Sequence, residues 1–350
     1  MIGKNTGGIM KNFRKQKFWL LVVGCFLFFT VSPLFAQPRM QIRLASLVPE
    51  NTPWGQTINR MAAEWSRVTE GQINVTVFHG GTAGSEAQTM ALLRSNQIQA
   101  AMFTTMGLNA ITPELMSISY PFLIRNDAEL SEVMRRIKPD LDRRMQQNGF
   151  VTLAWAPAGW VKLFTRTPIT TPDDLKRLRL GSSPDQPEVT QAFRIMGYNV
   201  VSADLTETLV ALQSGRIDAT YISPVYAAGT QLFGIARNMS SINVAPFMGG
   251  ILMNDVTWRR IPERFKPALM EVSRKLEKEI EESIASLEAE SIATMRRHGL
   301  VINNLTAAQN QVWYDDTARH EARLTGGANP VFNREYYIRI RDILTQYRGG

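Results

Sequence analysis

Apolar positions along the chain follow two alternating rhythms. Short runs rich in β-branched and aromatic residues predict strands over 40–45, 73–78, 98–103, 151–155, 160–165, 178–182 and 216–220. Between them apolar residues recur three to four apart. Ile58, Met61, Ala62 and Trp65 share one face of a helix over 53–68, and further helices are expected over 86–94, 186–196 and 205–214. The longest stripe runs through Phe265, Leu269, Val272, Leu276, Ile280, Ile284 and Leu287, and predicts one helix over 262–298. Arg296, Arg297 and His298 fill its last turn with Gly299 just beyond, which suits the negative end of a helix dipole. A stripe of this length reads as one face of a buried helix rather than a coiled-coil seam. Strands alternating with helices argue for an α/β fold, with no internal repeat and no low-complexity linker.

Local punctuation sharpens the pattern. Ala156-Pro157-Ala158-Gly159 separates two strands, and Gly215 caps the helix before it. Gly80, Gly81 and Gly84 turn the second strand into a helix; no Gly-Lys-Ser/Thr follows, so the loop reads as a tight turn and not a phosphate cradle. Asp173 and Asp174, after Thr171-Pro172, place negative charge at a helix start.

The N-terminus changes the reading of charge. Lys4, Lys11, Arg14, Lys15 and Lys17 precede an apolar run over 18–35 that ends in Ala36, the layout of a cleaved export signal over 1–36. An uncleaved membrane anchor, or lipidation at Cys25, are the other readings of this segment. Removing residues 1–36 takes away five basic and no acidic residues, so the net charge falls from +8 to +3. That balance over 314 residues gives no nucleic-acid footprint. Cys25 is the only cysteine, so the mature chain has no disulfide, cysteine metal site or catalytic thiol. Its length predicts two lobes.

Catalytic chemistry is thin. His79, His298 and His320 are the only histidines and stand in no metal-binding spacing. No nucleophile elbow is present. The chain reads as a non-enzyme without cofactors, exported to the periplasm: the profile of a solute-binding protein.

Four blocks give that profile a family. "GGTAGSEAQTMALLRSNQIQAAM" (80–102), "PELMSISYPFL" (113–123), "TPITTPDDLKRLRL" (167–180) and "ETLVALQSGRIDA" (207–219) resemble, in order and spacing, the DctP-type solute-binding subunits of tripartite ATP-independent periplasmic (TRAP) transporters. The resemblance implies an α/β, two-lobed periplasmic binding protein of type II-like form, each lobe a mixed sheet flanked by helices. Crossing strands would form the hinge and a long helix would span the lobes. It implies closure on a ligand and delivery to integral-membrane TRAP permease subunits. The expected lobes are 37–158 plus 247–286, and 159–246 plus 287–350.

Departures from the family pattern point to the ligand. Aligned on Leu175-Lys176, the family's carboxylate-binding arginine falls on Gly181. The family's glutamate and asparagine after the Gly-x-x-Asp motif become Tyr221 and Ile222, and a second ligand-facing arginine becomes Val161. A carboxylate without a charge partner is strongly disfavoured when buried, so the expected ligand is hydrophobic or amphipathic. The expected ligand-binding residues are Trp54, Phe103, Thr104, Met106, Trp160, Val161, Gly181, Ser182, Leu205, Tyr221, Ile222, Phe247 and Met248. The resemblance leaves two other readings open: an organic-acid binder rescued by Arg179 or Arg94, and a sensor or scaffold outside transport. A family branch that lacks the arginine associates with a periplasmic tetratricopeptide-repeat lipoprotein, which such a chain would have as a further partner.

Overall fold

The structure, a computed structural model, describes residue 1 and residues 40–349 except 185, 205 and 206; the expected export signal and Leu205 lie outside the described residues. The fold below is that of the compact unit over residues 41–350, with Met40 at the start of its first strand. Its strands are β1 (Met40–Ala45), β2 (Ile73–Phe78), β3 (Ala100–Thr104), β4 (Phe150–Thr165), β5 (Arg179–Ser182), β6 (Asn199–Ser202), β7 (Ala219–Ile222), β8 (Asn238–Ser240), β9 (Ala245–Asn254) and β10 (Val301–Asn303). The helices that matter for the site are α1 (Pro53–Val68), α2 (Glu86–Arg94), α3 (Asp127–Gln147), α4 (Pro187–Ile195) and α5 (Lys266–Arg297).

Two groups of strands share β4. In the first the order is β2-β1-β3-β9-β4, with β1 and β3 parallel and β9 antiparallel to both β3 and β4. In the second, the far end of β4 pairs antiparallel with β7, followed by parallel β5 and β6, while β8 and β10 pair alongside. Helix α5 packs on α1, β4 and the short helix Pro224–Gly229, so it runs from one group to the other. Three apolar clusters follow this plan. One gathers around Phe103, Ile137 and Leu252, a second around Leu163, Phe193 and Trp313, and a third around Phe164, Ile217 and Met239.

Most of the elements expected from periodicity fall where it puts them, and three do not. The break expected at 156–159 lies inside a single strand. Pairing of β4 with β9 slips between Pro157, which has no N–H to give, and Trp160. The gap is filled from α5, whose Glu288 Oε2 accepts the Trp160 N–H at 3.0 Å. Gly159 sits at φ +87, and a Cβ there would stand 2.5 Å from that same oxygen. A side chain is thus excluded twice, by the left-handed backbone and by the carboxylate. The strand expected over 216–220 is shifted to Ala219–Ile222, because Ile217 N–H donates to Ala211 O and Asp218 N–H to Arg179 O. The long helix begins at Lys266, since Phe265 and Lys266 still bond back to Pro262 and Glu263 in a turn.

Two local readings hold. The amides of Gly80 and Gly81 donate to Val48 O and Ser46 O, so the glycine-rich turn is occupied by its own backbone. Asp174 and Thr171 form a reciprocal capping box on the helix Pro172–Lys176.

Candidate functional site

A cleft enclosing ≈ 60 Å³ lies where the strand groups meet. One wall comes from the segment after β3: Thr105, Met106, Met116, Ser119 and Pro121. Gln186, Val189, Phe193 and Tyr221 form the other wall, and Val161 with Val244, Ala245, Pro246 and Phe247 form the floor on the crossing strands. Among the described residues, no lysine, arginine, histidine or carboxylate lines it.

Of the residues expected from the sequence, Met106, Val161, Tyr221 and Phe247 line this cleft. Ser182 stands behind it, its Oγ 2.8 Å from Tyr221 Oη. The rest lie elsewhere. Trp160 is buried, and its indole donates to Asp127 Oδ1 at 2.7 Å. Phe103 and Met248 belong to the first apolar cluster. Ile222 belongs to the third, on the face of β7 away from Tyr221. Thr104 is held by Glu86, which accepts its N–H at 2.6 Å and its hydroxyl at 2.8 Å. Trp54 is half-buried at the start of α1 and does not line the cleft.

Gly181 requires a correction. A Cβ built there would lie 2.6 Å from Ile217 Cδ1, inside the third cluster, so the position does not open toward the cleft. Strand alternation places Ser182 on the cleft side instead. Arg179 shares the outward direction: its Nε and Nη2 bond Asp218 at 2.7 and 2.8 Å. Arg94 stacks over Phe150, 5.3 Å from the ring centroid. Neither arginine lines the cleft.

The sequence reading missed ten lining residues, and a signal existed for several. Gln186, Val189 and Phe193 are three and four apart, one face of a predicted helix, and Met116, Ser119 and Pro121 lie within the 113–123 block.

Charge sits behind the cleft. Lys162 points to the face opposite Val161, where its Nζ donates to Ser241 O at 3.1 Å. Burial pulls its pKa down, against the attraction of Glu288 and Asp127. Burial pushes the Glu288 carboxyl up, against the Trp160 N–H and Lys162. Tyr221 is pushed up to about 12 by burial, so it remains a phenol at neutral pH.

The sequence pattern of bacterial extracellular solute-binding protein family 7, DctP, matches residues 44–323, most of this chain. The chain belongs to this family. DctP proteins are the solute-binding subunits of TRAP-type transporters and act outside the cytoplasm. Similar relatives include the 2,3-diketo-L-gulonate-binding periplasmic protein of Escherichia coli K12, 24% identical over 58% of this chain and 62% of that protein. The C4-dicarboxylate-binding protein of Bacillus subtilis 168 is 22% identical over 88% of this chain and 87% of that protein. Among solved structures, a TRAP periplasmic solute-binding protein from Ochrobactrum anthropi has a TM-score of 0.79 at 19% identity, covering 89% of this chain and 97% of that one. Another, from Chromohalobacter salexigens with bound D-glucuronate, has a TM-score of 0.76 at 19% identity, covering 86% and 99%.

Within this DctP fold, Arg179 serves the outer face of β5. Arg179→Ala is therefore expected to leave the identity and occupancy of any co-purifying ligand unchanged by native mass spectrometry. Loss of the ligand would return this arginine to the site.

Proposed function

We propose that this DctP-family protein captures a hydrophobic or amphipathic solute for TRAP permease subunits, and not a small organic acid. The observation that carries the reading is that the described residues lining the cleft at the crossing strands are all uncharged. A carboxylate enclosed there would lose its hydration without gaining a cation, a cost of several kcal/mol. An apolar ligand burying about 200 Å² would gain on the order of 5 kcal/mol before association costs. In this reading the lobes are 37–158 with 247–286 and 159–246 with 287–350, closing about the crossing strands. The tetratricopeptide-repeat lipoprotein partner belongs to the same reading, through the family branch that shares the missing arginine.

The test is to purify the exported protein without refolding and identify bound species by native mass spectrometry and solvent extraction. An apolar or amphipathic molecule is the expected finding. Recovery of a hexuronate or a C4-dicarboxylate, the ligand classes of the relatives named above, would overturn the proposal.

A further inference from the structure

One wall of the cleft carries a chain of hydroxyls in an otherwise apolar surface. Thr190 Oγ1 and Ser182 Oγ are 2.5 Å apart, Ser182 Oγ and Tyr221 Oη 2.8 Å, and Tyr221 Oη and Gln186 Oε1 3.1 Å. Ser182 is buried, and Tyr221 and Gln186 reach the cleft. Each hydroxyl has one proton, so all three links are filled only when the protons run in one direction.

Two orders do this. In the first, Thr190 donates to Ser182, Ser182 to Tyr221 and Tyr221 to Gln186 Oε1. Gln186 Nε2, which has no partner among the described residues, then turns two protons to the cleft. In the second, Thr190 donates to the Ser183 carbonyl at 3.3 Å, Ser182 to Thr190, and Tyr221 to Ser182. The Gln186 amide turns over, Nε2 donates to Tyr221, and Oε1 faces the cleft as an acceptor. Every hydroxyl is satisfied either way, so the chain reverses without leaving a buried group unpaired.

We propose, on the apolar-ligand reading above, that Gln186 is the ligand's polar anchor and selects a neutral hydroxyl or amide headgroup on an otherwise apolar molecule. A hydroxyl both donates and accepts, so it is served in either order. Ser119 Oγ, on the opposite wall, makes no hydrogen bond among the described residues and is the second polar atom within reach of such a group. One amide and one hydroxyl supply fewer donors than a carboxylate's roughly four acceptor sites require, and no cation makes up the difference.

Four six-carbon probes test this on the intact protein by titration against thermal unfolding: hexan-1-ol, hexanamide, hexanoate and 1-fluorohexane. Hexan-1-ol and hexanamide are expected to bind about fivefold more tightly than 1-fluorohexane, the worth of one neutral hydrogen bond. Hexanoate is expected to bind more weakly than hexan-1-ol. Gln186→Leu should reduce hexan-1-ol to the level of 1-fluorohexane and leave 1-fluorohexane unchanged. Tyr221→Phe, which cuts the chain behind the amide, should give an intermediate loss for the alcohol. Equal binding of alcohol and fluoride by the wild type, or full alcohol affinity in both variants, would overturn the anchor while leaving an apolar site. Tightest binding of hexanoate, or binding of none of the four, would overturn the apolar-ligand reading and the anchor with it.

Discussion

Gly181→Arg should lower folding stability by about 3 kcal/mol or more and create no carboxylate site. On the family resemblance, this substitution would restore the arginine expected in organic-acid binders. In the fold, β5 is hydrogen-bonded on both sides, to β6 and to β7, and cannot rotate to re-aim one residue. A Cβ at 181 meets Ile217 Cδ1 at 2.6 Å, its Cγ2 at 3.4 Å and Ala219 O at 3.5 Å. Ile217 is fully buried among Phe164, Leu212 and Met239. An arginine would have to displace that side chain and leave a guanidinium in an apolar cluster. Gly181→Ala should cost only about 1 kcal/mol, because the flexible δ-methyl of Ile217 can turn aside. Denaturant midpoints for the two variants measure the difference. A stable Gly181→Arg protein that binds D-glucuronate would show that this position faces the cleft after all.

Glu288→Ala should cost about 3 kcal/mol, while Glu288→Gln should cost much less. The carboxylate accepts the Trp160 N–H at the point where β4 leaves its pairing with β9, and it faces buried Lys162. Alanine leaves that N–H without an acceptor and Lys162 with Asp127 as its remaining counter-charge. Glutamine keeps an acceptor oxygen at the break and removes the buried charge.

The two proteins should also diverge with pH. Burial raises the Glu288 pKa above 4.5, so the folded state holds this proton more tightly than the unfolded chain does. Its contribution to stability is fully present below 4.5 and is lost as pH rises through the folded value. Glutamine has no such proton, so Glu288→Gln should gain on the wild type as pH is raised from 4.5 toward neutrality. Lys162 has the opposite shift: its pKa is lowered from 10.5, and its stabilising contribution is lost as pH falls through the folded value. Urea unfolding of both proteins across pH 4.5–7 reads the divergence. Parallel curves would mean that Glu288 titrates normally.

Much of the architecture is written in local pattern. The strand over 40–45 and the helices over 53–68 and 86–94 have the bounds that their apolar periodicity implies. Pro157 and Gly159 have the composition of a loop, and pairing with β9 and the Glu288 carboxylate, both distant in sequence, made them part of a strand. Glu288 lies more than a hundred residues away, and nothing near 156–159 announces its oxygen.

The cleft divides the same way. Sequence and resemblance together named stretches that the fold places near it. Expected site residues on β4, β5, β7 and on β9, a strand not expected from the sequence, came in adjacent pairs: Trp160 and Val161, Gly181 and Ser182, Tyr221 and Ile222, Phe247 and Met248. Which member of each pair turns inward was decided by tertiary structure. Successive side chains on a strand point to opposite faces, so one of each pair serves the cleft side and its neighbour packs behind. Val161, Ser182, Tyr221 and Phe247 took the cleft side, while Trp160, Ile222 and Met248 went to the core and Gly181 makes way for Ile217. Composition cannot make that choice, because both faces of these strands are buried and both read as apolar. The layers that pack on each face make it, and they are assembled from segments far apart in the chain.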